Sequence, residues 1–522
     1  MIKKILYELY IYFFLNNFFI KIKSNKNYIE NYNFNFQNIS FEDLTHLKTI
    51  LFSKKYYDKK FIDEKNYYYH SFDWLIVAKK IGGAKSITIS KKQIINWCNK
   101  KYSKNLFVWS PKVTAKRVVN LIYNYDFYAI SSDKCEKKIF HRLIFEHYLI
   151  LEASLKFEKI ENISIELIKI YILLKIIYKK DIENVLIIMK SQIYKSIDTN
   201  GYHKSYNPSY QAEFINQLHE IKNILLYFDF KIPNEIDYQL NNMSSAFNNF
   251  FHKDNSIALF NGSNNANYSQ YKKIYQQIND IRPKKLDKVL NGICIYSDKS
   301  KKIFFDIVRP TNKQINQNLH SGTLSFEMSC LGEKIVTNCG SIEKRYEKKP
   351  EYLRYSAAHS TLILNNTNIS ELSKNSYKRI PKKILFDHIE NDDEVIWIAS
   401  HNGYHLNYSR IVKRKLKISK KKNLIVGEDS IILSKYNTKK ILYNIRFHLT
   451  PNCSSLLTNN KKSVLIKTSQ NQSWIFKSTG ILSLEDSICI KDGKKIEQTK
   501  QIVITNYVDV SNKIENWSFN KV

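Results

Sequence analysis

The sequence is poor in glycine, proline and alanine for its length, with 12 glycines and 8 prolines among 522 residues. Lysine, asparagine, isoleucine, tyrosine and phenylalanine are used heavily instead, a bias expected of an AT-rich coding sequence. The 7 cysteines are odd in number, scattered, and never spaced as Cys-x-x-Cys. This pattern predicts neither a disulfide framework nor a zinc ribbon.

Long apolar runs are also missing. The aromatic-rich stretch from Leu9 to Ile20 is interrupted by Asn16 and Asn17 and is shorter than the ~20 residues that a membrane-spanning helix needs. No small-residue cleavage site follows it. We therefore predict no transmembrane anchor, and an uncleaved or atypical export signal is the alternative.

Basic residues exceed acidic ones by 82 to 48, which gives a formal charge of +34. Such an excess favours polyanionic partners, whether acidic sugars, nucleic acid or an anionic membrane surface. The coding bias is the favoured explanation for most of the excess lysine. Because no helix-turn-helix, zinc finger or RNA-binding aromatic motif accompanies the charge, we predict no specific nucleic-acid partner.

The order of patterns along the chain predicts helices first and strands afterwards. Apolar residues recur at helical spacing around Ile94, from Val113 to Ile122, and from Leu143 to Leu151. Ser110 and Pro111 form a start signal for the second of these helices. After about residue 285 the pattern changes to six segments typical of strands, at 292–296, 303–308, 360–364, 394–398, 443–449 and 473–476.

This order predicts an α domain followed by an antiparallel β-sandwich. The expected domains are an irregular segment at 1–69, a helical domain at 70–284 and a β domain at 285–522. The joint is placed at Ile281-Arg282-Pro283.

The stretch from His320 to Ser329 is the most informative part of the chain. Leu324, Phe326 and Met328 alternate with polar residues, and the chain returns through Leu331-Gly332-Glu333. The alternation predicts a β-hairpin in which Phe326 lies opposite Asn338. His320 then lies at the mouth of the hairpin.

Three runs in this region together resemble the C-terminal domain of the heparinase II/III family: 320–327, 336–340 and 357–361. Softer similarities follow the family's order at 70–75, 201–203, 207–210, 257–262, 401–404, 427–429 and 446–449. The resemblance implies an incomplete α/α toroid followed by a β-sandwich. It also implies a polysaccharide lyase of the cell envelope or periplasm that cleaves an acidic, uronic-acid glycan by β-elimination in a cleft between the two halves; a cytoplasmic location is the alternative.

By resemblance, Tyr210 is the catalytic tyrosine that transfers protons. Asn207 is a good N-cap and Pro208 suits a first helical position, so Tyr210 is expected in the first turn of a helix, near the positive end of its dipole. The alternative is that Tyr210, one of 36 tyrosines, only packs.

Two further residues match family positions around the substrate. His203 matches a cleft histidine that contacts substrate or polarises its carboxylate, and the alternative is a loop histidine bonded to the backbone. Arg354 matches an arginine of the family and is expected to clamp a carboxylate through two hydrogen bonds, and the alternative is a surface arginine paired with an acid. His320 is expected to act beside them in catalysis.

His320 and His359 also match positions at which some family members hold zinc. The third position is Asn338, a poor zinc ligand, so we favour hydrogen-bonded histidines that brace the hairpin and keep a structural zinc as the alternative. Asn318 stands where many family enzymes have a further histidine.

A second departure lies in the helical half. Where family lyases use Asn-His to neutralise the substrate carboxylate, this chain has Glu146-His147. His147 is retained as a substrate-binding candidate, whereas a charged Glu146 would repel a uronate. These departures support a second hypothesis, a catalytically weakened glycan-binding or envelope-assembly protein of the same fold.

Overall fold

A computed structural model describes residues 7, 10, 11, 67–100, 106–157, 163–264, 292–309, 319–342, 351–372, 377–437 and 439–522. Most of the predicted irregular segment at 1–69, the joint at 281–283 and Asn318 lie outside these residues. Two compact units are present: Met1–Lys195 with Gln217–Pro233, and Ser196–Asn216 with Asn234–Val522. The predicted boundary at 284/285 lies outside the described residues.

Helices precede strands along the chain, as predicted. The described α-helices are Tyr67–Ser71, Trp74–Ile81, Gly83–Asn99, Pro111–Tyr123, Tyr125–Ala129, Lys134–Phe157, Ile165–Ile177, Glu183–Ser196, Pro208–Tyr227, Asn234–Phe247 and, later, His405–Tyr408. Short 3-10 helices are Asn248–Phe250, Glu351–Arg354 and Ser356–Ala358. Within the described part of the chain, every helix is too short or too polar to cross a bilayer.

The start signal at residues 110 and 111 is half right. A helix begins at Pro111, as predicted, because proline suits a first helical position. The side chain of Ser110 does not cap that helix; its hydroxyl donates to the carbonyl of Phe107 at 2.8 Å instead.

Eighteen strands follow in the described residues. They are β1 Ile293–Ser297, β2 Lys301–Asp306, β3 Phe326–Cys330, β4 Glu333–Thr337, β5 Leu362–Leu364, β6 Glu371–Leu372, β7 Tyr377–Arg379, β8 Ile384–Glu390, β9 Glu394–His401, β10 Arg410–Ser419, β11 Leu424–Leu433, β12 Ile441–Leu449, β13 Ser454–Leu457, β14 Ser463–Lys467, β15 Ser473–Ser478, β16 Leu482–Lys491, β17 Lys495–Val508 and β18 Lys513–Lys521. Each of the six segments predicted as strands overlaps one of them.

The strands build two antiparallel sheets of eight strands each. The first has the order β1-β2-β3-β4-β12-β17-β16, with β5 also on β12, and the second has the order β13-β14-β15-β18-β11-β10-β9-β8. The inner faces share one apolar core: Phe326 of the first sheet stacks on Trp517 of the second, with ring centroids 5.4 Å apart. Two sheets packed face to face over one core form the predicted β-sandwich.

The predicted hairpin consists of β3 and β4. Its turn has two residues, Leu331 and Gly332, both left-handed with φ of 48° and 81°, which is a primed hairpin turn. The predicted three-residue turn is therefore one residue too long, since Glu333 already belongs to β4. Both faces of β3 are buried, so its polar face, with Glu327, is as inaccessible as its apolar face.

Candidate active site

Tyr210 lies in the first turn of the helix Pro208–Tyr227, and the side chain of Asn207 caps that helix. The Tyr210 amide donates to Asn207 Oδ1 at 3.0 Å, so the predicted N-cap is confirmed. The Asn207 Nδ2 group donates in turn to the carbonyl oxygen of Asn261 at 2.8 Å. The start of the helix, and with it Tyr210, is thus fixed from both ends of one amide side chain.

His203 packs edge-to-face against Tyr210, with ring centroids 4.6 Å apart. The backbone N–H of Ser205 donates to His203 Nδ1 at 3.2 Å, and a nitrogen that accepts a hydrogen bond carries a lone pair. The neutral ring therefore carries its proton on Nε2. Burial, and then the charge of Lys204, lowers the pKa of His203 to about 3, which keeps the imidazole neutral at physiological pH.

His320 and His359 form a second pair, with His320 Nδ1 and His359 Nε2 3.3 Å apart. His359 Nδ1 lies 2.8 Å from the carbonyl oxygen of Tyr355, so it must be the protonated nitrogen, because a carbonyl oxygen only accepts. Burial lowers the pKa of His359 to about 4. The neutral His359 then accepts from His320 through Nε2, and a neutral His320 has its own lone pair on Nε2.

Gly322 makes room for this pair. A Cβ atom at this position would lie 2.6 Å from Cδ2 of His359, closer than side chains tolerate. The glycine of the His-Ser-Gly run is therefore required for close packing against the imidazole.

The histidine pair does not fit a complete zinc site. Asn338 Oδ1 already accepts from the backbone N–H of Ser360 at 3.0 Å, and an amide is a poor zinc ligand. No group of three His, Cys, Asp or Glu side chains in the described ranges is placed to hold a metal ion. The hydrogen bond between His320 and His359 agrees with the favoured interpretation, in which the histidines brace the hairpin.

Arg354 lies beside the segment that carries His320. Its carbonyl oxygen accepts from the Ser321 N–H at 2.9 Å, and its Nη2 lies 3.4 Å from the carbonyl oxygen of Leu319. The side chain is half-buried. Arg354 thus contacts the residues on both sides of His320, Leu319 through its guanidinium and Ser321 through its carbonyl oxygen.

His147 belongs to the other compact unit and is fully buried there. Its Nδ1 lies 2.6 Å from the Leu143 carbonyl, and its Nε2 accepts from Nε of Arg117 at 2.6 Å. The predicted substrate contact would require this ring to break two internal hydrogen bonds and become exposed. Glu146 pairs with Arg142 at 2.9 Å, and burial raises its pKa.

Sequence reasoning missed Arg414, which is fully buried and forms an ion pair with Asp429. Its Nη1 donates to the carbonyl oxygens of Leu324 and Ser360 at 2.8 and 2.7 Å. It therefore ties the segment after His320 to the segment after His359. The period-two alternation of β10, which points Arg414 inward, is the signal that identifies it.

Glu327 is a second residue whose role was missed. Its buried carboxylate accepts from His252 at 2.9 Å and forms an ion pair with Lys334 at 2.8 Å. It also accepts from the backbone N–H groups of Leu259 at 3.0 Å and Asn338 at 2.8 Å. Burial alone would raise the pKa of Glu327, but Lys334 and His252 outweigh it and lower the pKa to about 2.

Five of the predicted site residues lie in the same compact unit: Tyr210, His203, His320, His359 and Arg354. Their contacts form two groups. The tyrosine group consists of Tyr210 with His203, and the histidine group consists of His320 with His359 and Arg354.

The C-terminal part of the chain matches a known family. Residues 289–518 match the family model described as "Heparinase II/III-like, C-terminal". No curated protein matches the chain.

Solved structures extend the likeness to the helical part. A crystal structure of heparinase III is 14% identical, with a TM-score of 0.69, and the match covers 87% of this chain and 76% of that one. A heparan sulfate lyase, HepC from Pedobacter heparinus, is 14% identical with a TM-score of 0.59, over 96% of this chain and 87% of that one. The helices and sheets thus have the heparinase III fold, residues 289–518 form a heparinase II/III-like C-terminal domain, and the family resemblance predicted from the sequence is confirmed.

Proposed function

We propose that this protein is a polysaccharide lyase that cleaves a uronic-acid glycan by β-elimination. The observation that carries the proposal is the capped helix start that holds Tyr210 against the neutral ring of His203. The fold of a heparinase III supports the same substrate class, although a fold alone does not fix an activity.

The reaction requires two proton transfers. The proton on C5 of the uronate, next to the carboxylate, is removed, and its electron pair forms a C4–C5 double bond. The C4–O bond breaks, and the departing glycosidic oxygen takes up a proton. One group must therefore accept a proton and another must donate one.

The hydrogen bonds of the His320–His359 pair suit His320 as the acceptor, and Tyr210, which matches the family's catalytic tyrosine, is assigned as the donor. The bond to His359 leaves the lone pair of a neutral His320 on Nε2, the atom that would take the C5 proton. The hydroxyl of Tyr210 would protonate the departing oxygen. After product release, His320 gives its extra proton to solvent, and Tyr210 takes up a proton from solvent.

The remaining two residues would stabilise the charge that develops on the carboxylate. His203 is neutral and has its proton on Nε2, so it would act as a hydrogen-bond donor. Arg354 would supply positive charge next to the carboxylate, and its fork of N–H donors suits that group.

The experiment is a product assay with a panel of uronic-acid polysaccharides. The intact chain should release an unsaturated product that absorbs in the ultraviolet. Tyr210→Phe keeps the ring and removes the proton, so the rate should fall by about 10²- to 10⁴-fold. The control, Tyr436→Phe, changes a tyrosine that is 83% exposed and should leave the rate unchanged.

Two results would contradict the proposal. One is unchanged product formation by Tyr210→Phe, and the other is no product from any acidic glycan. The second result would favour a glycan-binding protein without efficient chemistry. The observation that favours that candidate is Glu146-His147, where His147 is buried against Arg117. It predicts retention of the glycan without product, and equal retention by Tyr210→Phe.

A further inference from the structure

We propose that Tyr352 and Tyr355 form a stacking subsite for the sugar rings of the acidic polysaccharide, next to the histidine group. This inference rests on the substrate class of the proposed function. It assigns a binding role to two residues that have no part in the proton transfers.

Both tyrosines are exposed although the segment that carries them is firmly anchored. Tyr352 is 48% exposed and Tyr355 is 40% exposed. Leu353, between them in sequence, is 3% exposed and belongs to a small apolar cluster that also contains Ala358 and Ile490. Because Leu353 anchors the 3-10 helix Glu351–Arg354 in this apolar cluster, the adjacent aromatic side chains are held at the surface.

The same segment is bonded to the histidine group through its backbone. The Tyr355 carbonyl oxygen accepts from His359 Nδ1 at 2.8 Å, and the Arg354 carbonyl oxygen accepts from the Ser321 N–H at 2.9 Å. The Tyr355 N–H donates to the carbonyl oxygen of Tyr352 at 3.0 Å. A sugar ring stacked on either tyrosine would therefore lie at a fixed position relative to His359.

The chemistry of these side chains fits a pyranose that carries an acidic group. A pyranose has a face of C–H groups and a rim of hydroxyls, and a tyrosine combines an apolar ring with a polar hydroxyl. Tyrosine also loses little conformational entropy on binding, since only two side-chain torsions become fixed. The guanidinium of Arg354, between the two tyrosines in sequence, would recognise a carboxylate or a sulfate.

The test measures binding without turnover. Tyr210→Phe serves as the parent, and Tyr352→Ala and Tyr355→Ala are each added to it. Affinity for a uronic-acid polysaccharide is measured by affinity electrophoresis and calorimetry, and the melting temperature checks the fold. Each alanine variant should bind about tenfold more weakly, as expected for the loss of one aromatic stacking contact.

Matched variants separate stacking from other effects. Tyr352→Phe and Tyr355→Phe keep the ring and should bind nearly as the parent does. Tyr436→Ala, at a tyrosine that is 83% exposed, should also bind as the parent does. A neutral polysaccharide should bind far more weakly than the acidic one.

The outcomes distinguish this inference from the proposed function. Parent-like binding by both alanine variants would overturn the subsite even if the intact chain makes product. Weaker binding by the alanine variants, together with no product from the intact chain, would support the subsite and overturn the lyase. A parent that retains no acidic polysaccharide would overturn the subsite.

Discussion

Replacement of Glu327 by glutamine tests the buried charge cluster beneath the hairpin. The carboxylate is fully buried and receives hydrogen bonds from His252 and from the N–H groups of Leu259 and Asn338, besides its ion pair with Lys334. Glutamine has the same shape but is neutral, and it turns an N–H₂ group toward donors. Lys334, itself buried, then has no compensating charge at this site.

The magnitude follows from the pKa of Glu327. Burial would raise it, but Lys334 and then His252 lower it from 4.5 to about 2. A difference of this size corresponds to about 3 kcal/mol of stability. Because the pKa is depressed by folding, this stabilisation is fully present above pH 4.5 and is lost as the pH falls through about 2. At neutral pH the substitution should cost about 3–5 kcal/mol, the usual cost of breaking a buried pair.

Urea unfolding followed by tryptophan fluorescence is a suitable assay, since Trp397, Trp474 and Trp517 lie in the same core. Stability is measured from pH 7 down to the lowest pH at which the chain stays folded. His252, whose pKa burial and then Lys334 lower to about 4, adds its own loss of stability between pH 6.5 and 4. The contribution of Glu327 therefore falls below pH 4.5, in a range it shares with Asp298, whose pKa the bonds to Lys301 lower to about 2 although burial opposes the shift, and it is read as the difference between the parent and Glu327→Gln.

Glu327→Gln should be less stable than the parent at pH 7 and should show a smaller decline below pH 4.5. Asp393→Asn is the control, because Asp393 is an exposed carboxylate paired with Lys421 at the surface. Its stability curve should follow that of the parent. An acid decline of equal size in Glu327→Gln and the parent would refute the assignment of this ion pair as a source of stability.

Two further substitutions test the positioning of the candidate catalytic groups. Asn207→Ala should lower stability by about 1 kcal/mol and slow product formation, because the Tyr210 N–H loses its acceptor. Asn207→Ser also loses the bond to the Asn261 carbonyl but keeps an N-cap acceptor, so it should lose less, and equal effects of the two would contradict the capping role. Gly322→Ala should displace His359, since the added carbon would lie 2.6 Å from its ring. The chemical shifts of the imidazole nitrogens should then report loss of the bond between His359 and His320. Unchanged shifts would contradict the role of Gly322 in packing against His359.

Features set by local sequence were predictable. Alternation of apolar and polar residues identified strands such as β12, and the Asn207-Pro208 pair identified both the cap and the first residue of a helix. These signals depend on neighbouring residues alone. A local signal fails where a side chain has two possible hydrogen-bond partners. The Ser110 hydroxyl donates to a carbonyl three residues earlier and does not cap the helix that follows.

Features set by distant residues were not predictable. His147 lies on the buried apolar face of its helix, with Leu143 and Leu151, and its sequence neighbours do not show that Arg117, 30 residues earlier, occupies its Nε2. Arg414 stands in a Lys-Arg-Lys run that resembles a solvated basic stretch until the strand period places it inward. The burial of the polar face of β3 likewise depends on His252, 75 residues away from Glu327.

The buried carboxylate of Glu327 also helps to position both the tyrosine group and the histidine group, which lie in the same compact unit. On one side Glu327 accepts a hydrogen bond from the N–H of Leu259. Two residues further on, the carbonyl oxygen of Asn261 accepts from the side-chain amide of Asn207, which caps the Tyr210 helix.

On the other side Glu327 holds the N–H of Asn338, whose Oδ1 fixes Ser360 beside His359. Both groups are thus positioned from one carboxylate in a rigid hairpin. Removal of its charge should therefore disturb the tyrosine group and the histidine group together, whereas Gly322→Ala should disturb the histidine group alone. If Glu327→Gln keeps both the His320–His359 bond and the Tyr210 cap, each group is held by its own local contacts and the reasoning is wrong.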